Sequence, residues 1–138
     1  MTRAIVMRET GGPEVLRLGE VAVGDPGPGE LQVRQTAIGV NFHDVYVRTG
    51  LYKTLDLPGV PGIEAVGVVT AVGPDIHGLE PGDRIAYVAS SYGAYTEARV
   101  LPAAIALRLP KKLEDVAAAS ITLKGLTACM LLRHVHNV

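Results

Sequence analysis

The chain has 138 residues, one domain's worth, enough to bury a core of its own. Its 13 basic and 14 acidic side chains leave a net charge of −1, so nothing points to nucleic acid or an anionic membrane as the main partner. The single cysteine, Cys129, excludes an internal disulfide and a Cys-rich metal framework.

The start, MTRAIVMRET, carries charges and lacks the apolar core of a signal segment. No apolar run reads as long enough to span a bilayer, and a cytoplasmic protein is expected. Sixteen Gly and nine Pro imply many turns and favour short strands over a helical bundle. Aromatic residues make up only 4%, so the core is expected to be Val, Ile, Leu and Ala, with the five tyrosines at the edges of a cleft.

In chain order, residues 3–7 form a β-type segment, Thr10-Gly11-Gly12-Pro13 a turn, and residues 15–21 a strand. The breaker cluster from Gly24 to Gly29 is an ordered loop, and residues 30–40 form a long strand whose end, residues 37–40, is apolar and buried. Asn41 is a good N-cap for a short helix beginning at Phe42, with Phe42, Val45 and Tyr46 on one side and Gly50 closing it. Residues 51–61 are an irregular loop held by Pro58, Gly59, Pro61 and Gly62. Residues 63–72 form a strand buried on both faces, in which Gly67 marks a bulge or a close backbone approach. Further strands are expected at 84–88, 94–100 and 103–109, a rhythm that suits a small barrel. The character changes at Pro110: a short helix over 113–119 and a second over 122–136, apolar around its girth and so expected to be buried on more than one side.

Val40-Asn41-Phe42-His43-Asp44, Arg48-Thr49-Gly50-Leu51-Tyr52 and Pro61-Gly62-Ile63-Glu64-Ala65-x-Gly67 resemble the zeta-crystallin-like quinone oxidoreductase branch of the medium-chain dehydrogenase/reductase superfamily. Gly82-Asp83-Arg84-Ile85, Gly93-Ala94-Tyr95 and Leu123-Lys124-Gly125-Leu126-Thr127-Ala128 agree in order and spacing. The resemblance implies a mainly β fold with flanking helices (α+β): a GroES-like β-barrel over residues 1–110 as the substrate-side domain. Residues 111–138 would then lead toward a nucleotide-binding domain. No G-x-G-x-x-G follows a strand in this sequence, so a Rossmann domain is expected to be absent from this chain.

The resemblance also implies site roles. Asn41, Phe42, Asp44 and Tyr46 would face the nicotinamide end of NADPH, Thr127 would approach the nicotinamide, and Tyr52 would line the quinone pocket. With Asn41 and Tyr52, His43 is the third candidate for catalysis, because an imidazole can donate a proton to a reduced quinone oxygen. The same residues admit plainer roles: Asn41 as a cap, Tyr46 as packing, Thr127 bonded to its own helix. Zinc-dependent relatives carry Cys and His where this chain has Asn41 and Ile63, so no metal site is expected. Hydrogen-bond donors would have to polarise a carbonyl instead.

Glu64, alone on a buried strand, demands a partner such as Arg84 or a backbone N–H. Lys124, between apolar neighbours, is expected to pair or to snorkel. Cys129 is expected to be inert. The resulting expectation is NADPH-dependent, zinc-independent reduction of a small-molecule quinone, in a homodimer. The alternatives are an enal/enone reductase of the same superfamily and a non-catalytic GroES-like binding module.

Overall fold

The computed structural model describes residues 1–136 of the chain. A five-stranded antiparallel sheet forms its centre, in the order β6-β3-β4-β5-β7: β3 is Glu30–Ile38, β4 Glu64–Val72, β5 Arg84–Val88, β6 Ala98–Pro102 and β7 Ala106–Arg108. β1 (Thr2–Val6) and β2 (Arg17–Val21) pair separately as an antiparallel ribbon. Single bridges from Ala4 to Thr96 and from Met7 to Gly59 fasten this ribbon to the larger sheet's loops. The result is a GroES-like arrangement whose ladder stays open, with β6 and β7 as its edges.

β3 and β4 hold the register together through two compensating irregularities. Thr70 is the extra residue on β4, where the partners step from Gln32↔Ala71 to Val33↔Val69; Thr36 is the extra residue on β3, between Gln35↔Gly67 and Ala37↔Val66. Each of these bulges carries a threonine whose hydroxyl donates to a carbonyl of the opposite strand, Thr70 to Gln32 (3.2 Å) and Thr36 to Val66 (3.3 Å). Gly67 lies at the second bulge, and a Cβ there would fall 2.5 Å from the carbonyl oxygen of Arg34, the close approach expected of it.

The main core lies on one face of the sheet and is built from Leu31, Val33, Val69, Ile85, Tyr87 and Leu101. Tyr87 departs from the expected cleft role of the tyrosines: it is fully buried, and its hydroxyl donates to Gln35 Oε1 (2.5 Å). Burial raises its phenol above the ordinary value, against the opposing pull of Arg99. A satisfied hydroxyl is what allows a tyrosine to fill a core. A smaller cluster on the other face joins Val66 and Ala86 to Ala118 and Ala119.

Several boundaries shift from the expected ones. The strand expected over 94–100 forms later, at β6, because residues 94–96 are held instead by loop bonds to Pro61, Gly62 and the Arg3 segment. Residues 103–105 wind into a 3-10 turn before β7. The two expected C-terminal helices are one: α2 runs from Asp115 to Met130 without a break and continues as a π turn over Leu131–Val135. No Gly or Pro interrupts residues 115–124, so nothing there stops helix propagation.

Burial is also less than expected. Within α2 only Ala118 and Ala119 are buried, while Leu126, Met130 and Leu132 are exposed. Residues 37–40, expected to be buried, include the exposed Ile38 and Val40, which stand between two open grooves. Asp115–Val135 is also a run of 21 residues long and apolar enough, by length and composition, to cross a membrane. That overturns the expectation that no such run exists; single charges at Lys124 and Arg133 interrupt the run without lowering its mean hydropathy enough. The last two residues of the expected 111–138 segment lie outside the described residues.

Candidate functional site

β3 delivers the chain to Asn41, and α1 (Phe42–Thr49) begins there. Asn41 and Asp44 face each other as a capping box. One arm is the Asp44 carboxylate, which accepts from the Asn41 N–H at 2.9 Å. The Asn41 side chain completes the box toward the Asp44 N–H, which also donates to the Asn41 carbonyl at 3.0 Å. The cap expected of Asn41 is therefore present, and the same side chain makes further bonds away from the helix. Gly50, at φ 80°, closes the helix in the left-handed conformation as expected.

The Asn41 amide joins a charged cluster. Its Nδ2 donates to Glu64 Oε1 at 2.8 Å, and its Oδ1 accepts from Lys124 Nζ at 2.7 Å. Lys124 also reaches Glu64 Oε1 at 3.1 Å, and the backbone N–H of Leu123 donates to Glu64 Oε2 at 2.9 Å. Glu64 is 1% exposed, so this set of donors is what lets a carboxylate remain on a buried strand. Gly39 makes room for it: a Cβ there would lie 2.4 Å from Glu64 Cγ.

Arg84 is not the partner of Glu64. In the β4–β5 ladder Glu64 faces Val88, whereas Arg84 faces Val68, four residues away, which is about 13 Å along a strand. Arg84 instead binds Asp115, with Nε at 2.9 Å from Oδ1, and pins the start of α2. The Thr36 hydroxyl, at 2.6 Å, and Arg84 together hold the Asp115 carboxyl below its usual range.

Beyond the amide, α1 and the following loop form an aromatic wall. The rings of Phe42 and Tyr46 lie 5.1 Å apart, edge to face; Tyr46 and Tyr52 are also 5.1 Å apart, and His43 is 5.6 Å from Tyr52. His43 stacks on Tyr92, and its Nε2 is 3.0 Å from the Tyr92 hydroxyl, which lies 2.5 Å from Thr54 Oγ1. Behind the wall, the Tyr95 hydroxyl donates to Asp44 Oδ2 at 2.9 Å. Burial first, then the charge and hydrogen bond of Asp44, push the Tyr95 phenol well above its ordinary value. Asp44 Oδ1 is buried with no hydrogen-bond partner. Gly62, at φ 88°, must be glycine here, since a Cβ would strike the Tyr95 ring at 2.3 Å.

The expected site residues thus fall into one neighbourhood, with one exception. Asn41, Phe42, His43, Asp44, Tyr46 and Tyr52 are linked through α1 and its loop, whereas Thr127 sits one turn beyond Leu123 on α2 and donates to the Leu123 carbonyl at 3.0 Å. Tyr92, Tyr95 and Thr54 are additions that sequence reasoning did not assign to the site. Only the fold brings residues 92–95 against α1. The Glu64–Lys124 pair did carry a signal, because each is an isolated charge in an apolar stretch and the two signs are opposite. Among the described residues, no group of three or more His, Cys, Asp or Glu is arranged to hold a metal ion.

Residues 27–111 match the family described as alcohol dehydrogenase GroES-like domain. The chain belongs to that family. Among curated members of related sequence, a quinone oxidoreductase of Pseudomonas aeruginosa is 41% identical over the whole chain, and a 2-haloacrylate reductase of a Burkholderia species is 42% identical. The GroES-like chain spans 42% of the length of the first and 43% of the second. Among solved structures, the Escherichia coli quinone oxidoreductase complexed with NADPH superimposes on all of this chain with a TM-score of 0.94 at 40% identity; this chain matches 42% of it. A human synaptic vesicle membrane protein VAT-1 homolog-like protein gives a TM-score of 0.95 at 35% identity. As a GroES-like domain, the chain corresponds to the first part of reductases of the medium-chain superfamily.

Proposed function

We propose that this chain is the substrate-side domain of an NADPH-dependent, zinc-independent quinone reductase, with residues 1–110 as the domain proper and the segment from 111 leading to the cofactor half. The observation that carries the reading is the Asn41 amide, which Glu64 and Lys124 hold at the head of an aromatic wall. The similarity to an NADPH-complexed quinone oxidoreductase over the whole chain supports the same reading.

The residues present suit a nicotinamide nucleotide. Asn41 Nδ2 uses one proton on Glu64 and has a second to give. Asp44 Oδ1 is an acceptor with no partner of its own. Asn41, Phe42, Asp44 and Tyr46 would hold the nicotinamide end, with Thr127 approaching from α2. When bound, the nucleotide supplies the hydride that reduces the acceptor.

The chain's own residues do the rest. Asn41 orients by hydrogen bonding, the Tyr46 ring backs the nicotinamide end, and the Tyr52 ring excludes water and lines the acceptor's place. His43 Nε2 lies 3.0 Å from the Tyr92 hydroxyl, which lies 2.5 Å from the exposed Thr54 hydroxyl, so a proton that His43 gives to the acceptor would be replaced along this chain. Donors here replace a metal in polarising the acceptor carbonyl. An enone or haloacrylate acceptor is the second reading, favoured by the 42% identity to a 2-haloacrylate reductase. The exposed apolar side chains of α2 fit an assembled homodimer in the cytoplasm, with no nucleic acid or membrane partner.

The test is steady-state turnover of NADPH with a quinone and with a 2-haloacrylate, by the chain carried in its full-length enzyme. Oxidation of NADPH with either acceptor, weakened together with nucleotide binding by Asn41→Ala, is the expected result. A full-length enzyme that binds no NADPH overturns the reading and leaves the non-catalytic binding module.

A further inference from the structure

Lys124 is both the partner of a buried carboxylate and a direct hydrogen-bond donor to a candidate site residue. Its side chain is 53% exposed, while that of its partner Glu64 is 1% exposed. A lysine whose only task was to neutralise Glu64 need not touch Asn41. Here the contact to Asn41 Oδ1, at 2.7 Å, is the shorter of its two bonds.

The chemistry of the three groups leaves the amide one orientation. A carboxylate only accepts and an ammonium only donates. Asn41 must therefore turn its nitrogen to Glu64 and its oxygen to Lys124; the reverse would set donor against donor and acceptor against acceptor. The ammonium has three protons, of which two are spent on Asn41 and Glu64. The outward face of the cluster then presents the second N–H of Asn41 and the third N–H of Lys124. The only acceptor left on that face is a lone pair of Asn41 Oδ1 beside a positive charge. Lys124 also lines the groove between α2 and residues 36–40, so its free proton faces open space.

We propose that Lys124 is a positioning residue that fixes the Asn41 amide, so that the site offers donors and selects a ligand presenting an oxygen acceptor, such as a carbonyl or carboxamide oxygen. Because Leu123 and Lys124 both bind Glu64, the middle of α2 is tied to the same carboxylate. A displacement of α2 would release Asn41 as well. This inference rests on the reading of Asn41 as ligand-facing, but its physical core concerns one amide and one ammonium.

The experiment is NMR of the 15N-labelled chain, with the Asn41 side-chain NH2 pair assigned by its loss in Asn41→Ser. In the wild type this pair should lie away from the position of free asparagine and exchange slowly with water. Lys124→Met should return it toward the free position and speed exchange at least tenfold, whereas Lys124→Arg should keep it near the wild-type place. If Lys124→Met lowers the melting temperature yet leaves the Asn41 pair unmoved, the lysine serves stability alone and the proposal falls. Should Lys124→Met not fold, a crystal structure of the wild-type chain decides: Nζ beyond 3.5 Å from Oδ1 overturns it, and a bond near the present distance upholds it. In the full-length enzyme, Lys124→Met should raise the KM for NADPH about tenfold or more, with a smaller change in kcat, and Lys124→Arg should recover most of the loss. An unchanged KM beside a moved NMR signal would uphold the positioning and refute the ligand-facing role of Asn41, so the two readings fail separately.

Discussion

Replacing Glu64 by Gln is the most informative single change in this domain. The side chain keeps its shape but exchanges one acceptor for a donor. In the wild type, Oε1 accepts from Asn41 Nδ2 and Lys124 Nζ, and Oε2 accepts from the Leu123 N–H. Glutamine has a single oxygen, so it must turn an NH2 toward either the Leu123 N–H or the Asn41–Lys124 pair. A buried donor left without an acceptor costs about 1–3 kcal/mol, and the bonds that survive lose their charge assistance. Two effects work the other way: no carboxylate remains to be desolvated, and Lys124, being 53% exposed, returns to water at little cost. A net loss of about 2–3 kcal/mol follows, which for a domain of this size lowers Tm by roughly 6–15 °C. Thermal unfolding of the wild type and of Glu64→Gln, followed by circular dichroism at pH 7, measures it. A Tm within about 2 °C of the wild type would mean that water reaches the carboxylate and that its bonds do not hold α2 to the sheet.

Asp115→Asn should flatten the acid limb of the stability curve. The wild-type carboxyl titrates below its unfolded value, so its contribution is complete above the ordinary carboxylate pKa of about 3.9 and is lost as pH falls toward the lowered folded value; urea unfolding between pH 2 and 7 reads this, and parallel curves for the two proteins would refute it. Tyr95→Phe should remove a loss of stability in alkali, because the raised phenol contributes below its unfolded value of about 10, and that contribution fades as pH climbs toward the higher folded value. The same variant should cost about 1 kcal/mol at neutral pH for the lost bond to Asp44, and equal alkaline midpoints would count against the assignment. In the full-length enzyme, Asn41→Ala and Tyr46→Ala should weaken NADPH binding, whereas Tyr52→Ala should chiefly raise the acceptor KM; equal effects of all three on both quantities would dissolve these roles. Elemental analysis of protein purified without chelator should find no stoichiometric zinc, and about one zinc per chain, lost on changing Asn41, would contradict the donor-only reading.

Much of this was legible in the sequence because it depends on neighbours along the chain. The strand-to-helix junction at Asn41, the closure at Gly50 and the tight place at Gly67 each announce themselves in a few residues. What was not legible depends on the third dimension. Arg84 looked like the partner of Glu64 because it is a charge on the next strand; the ladder puts it about four residues out of register, and Lys124, sixty positions away, takes its place. Tyr87 looked like its fellow tyrosines, and only the presence of Gln35 across the sheet makes its burial affordable. Asn41 has the residue type of a cap, and only the fold shows its amide bonded to two charged side chains as well. Residues 113–119 and 122–136 read as two helices, yet no Gly or Pro separates them, and helix propagation merely requires that nothing forbid it.

The paired bulges at Thr36 and Thr70 have an evolutionary corollary. One adds a residue to β3 and the other to β4, and each extra residue has no partner across the ladder. A deletion at Thr36 would therefore leave Ala37 facing Val66 and Ile38 facing Ala65, and a deletion at Thr70 would leave Val33 facing Val69. Each removes a local kink and no pairing, whereas a lost residue in a regular stretch of either strand shifts the register and turns inward side chains outward. Across descendants of this domain, single-residue gaps in these two strands should therefore gather at these two places, a pattern that an alignment can count.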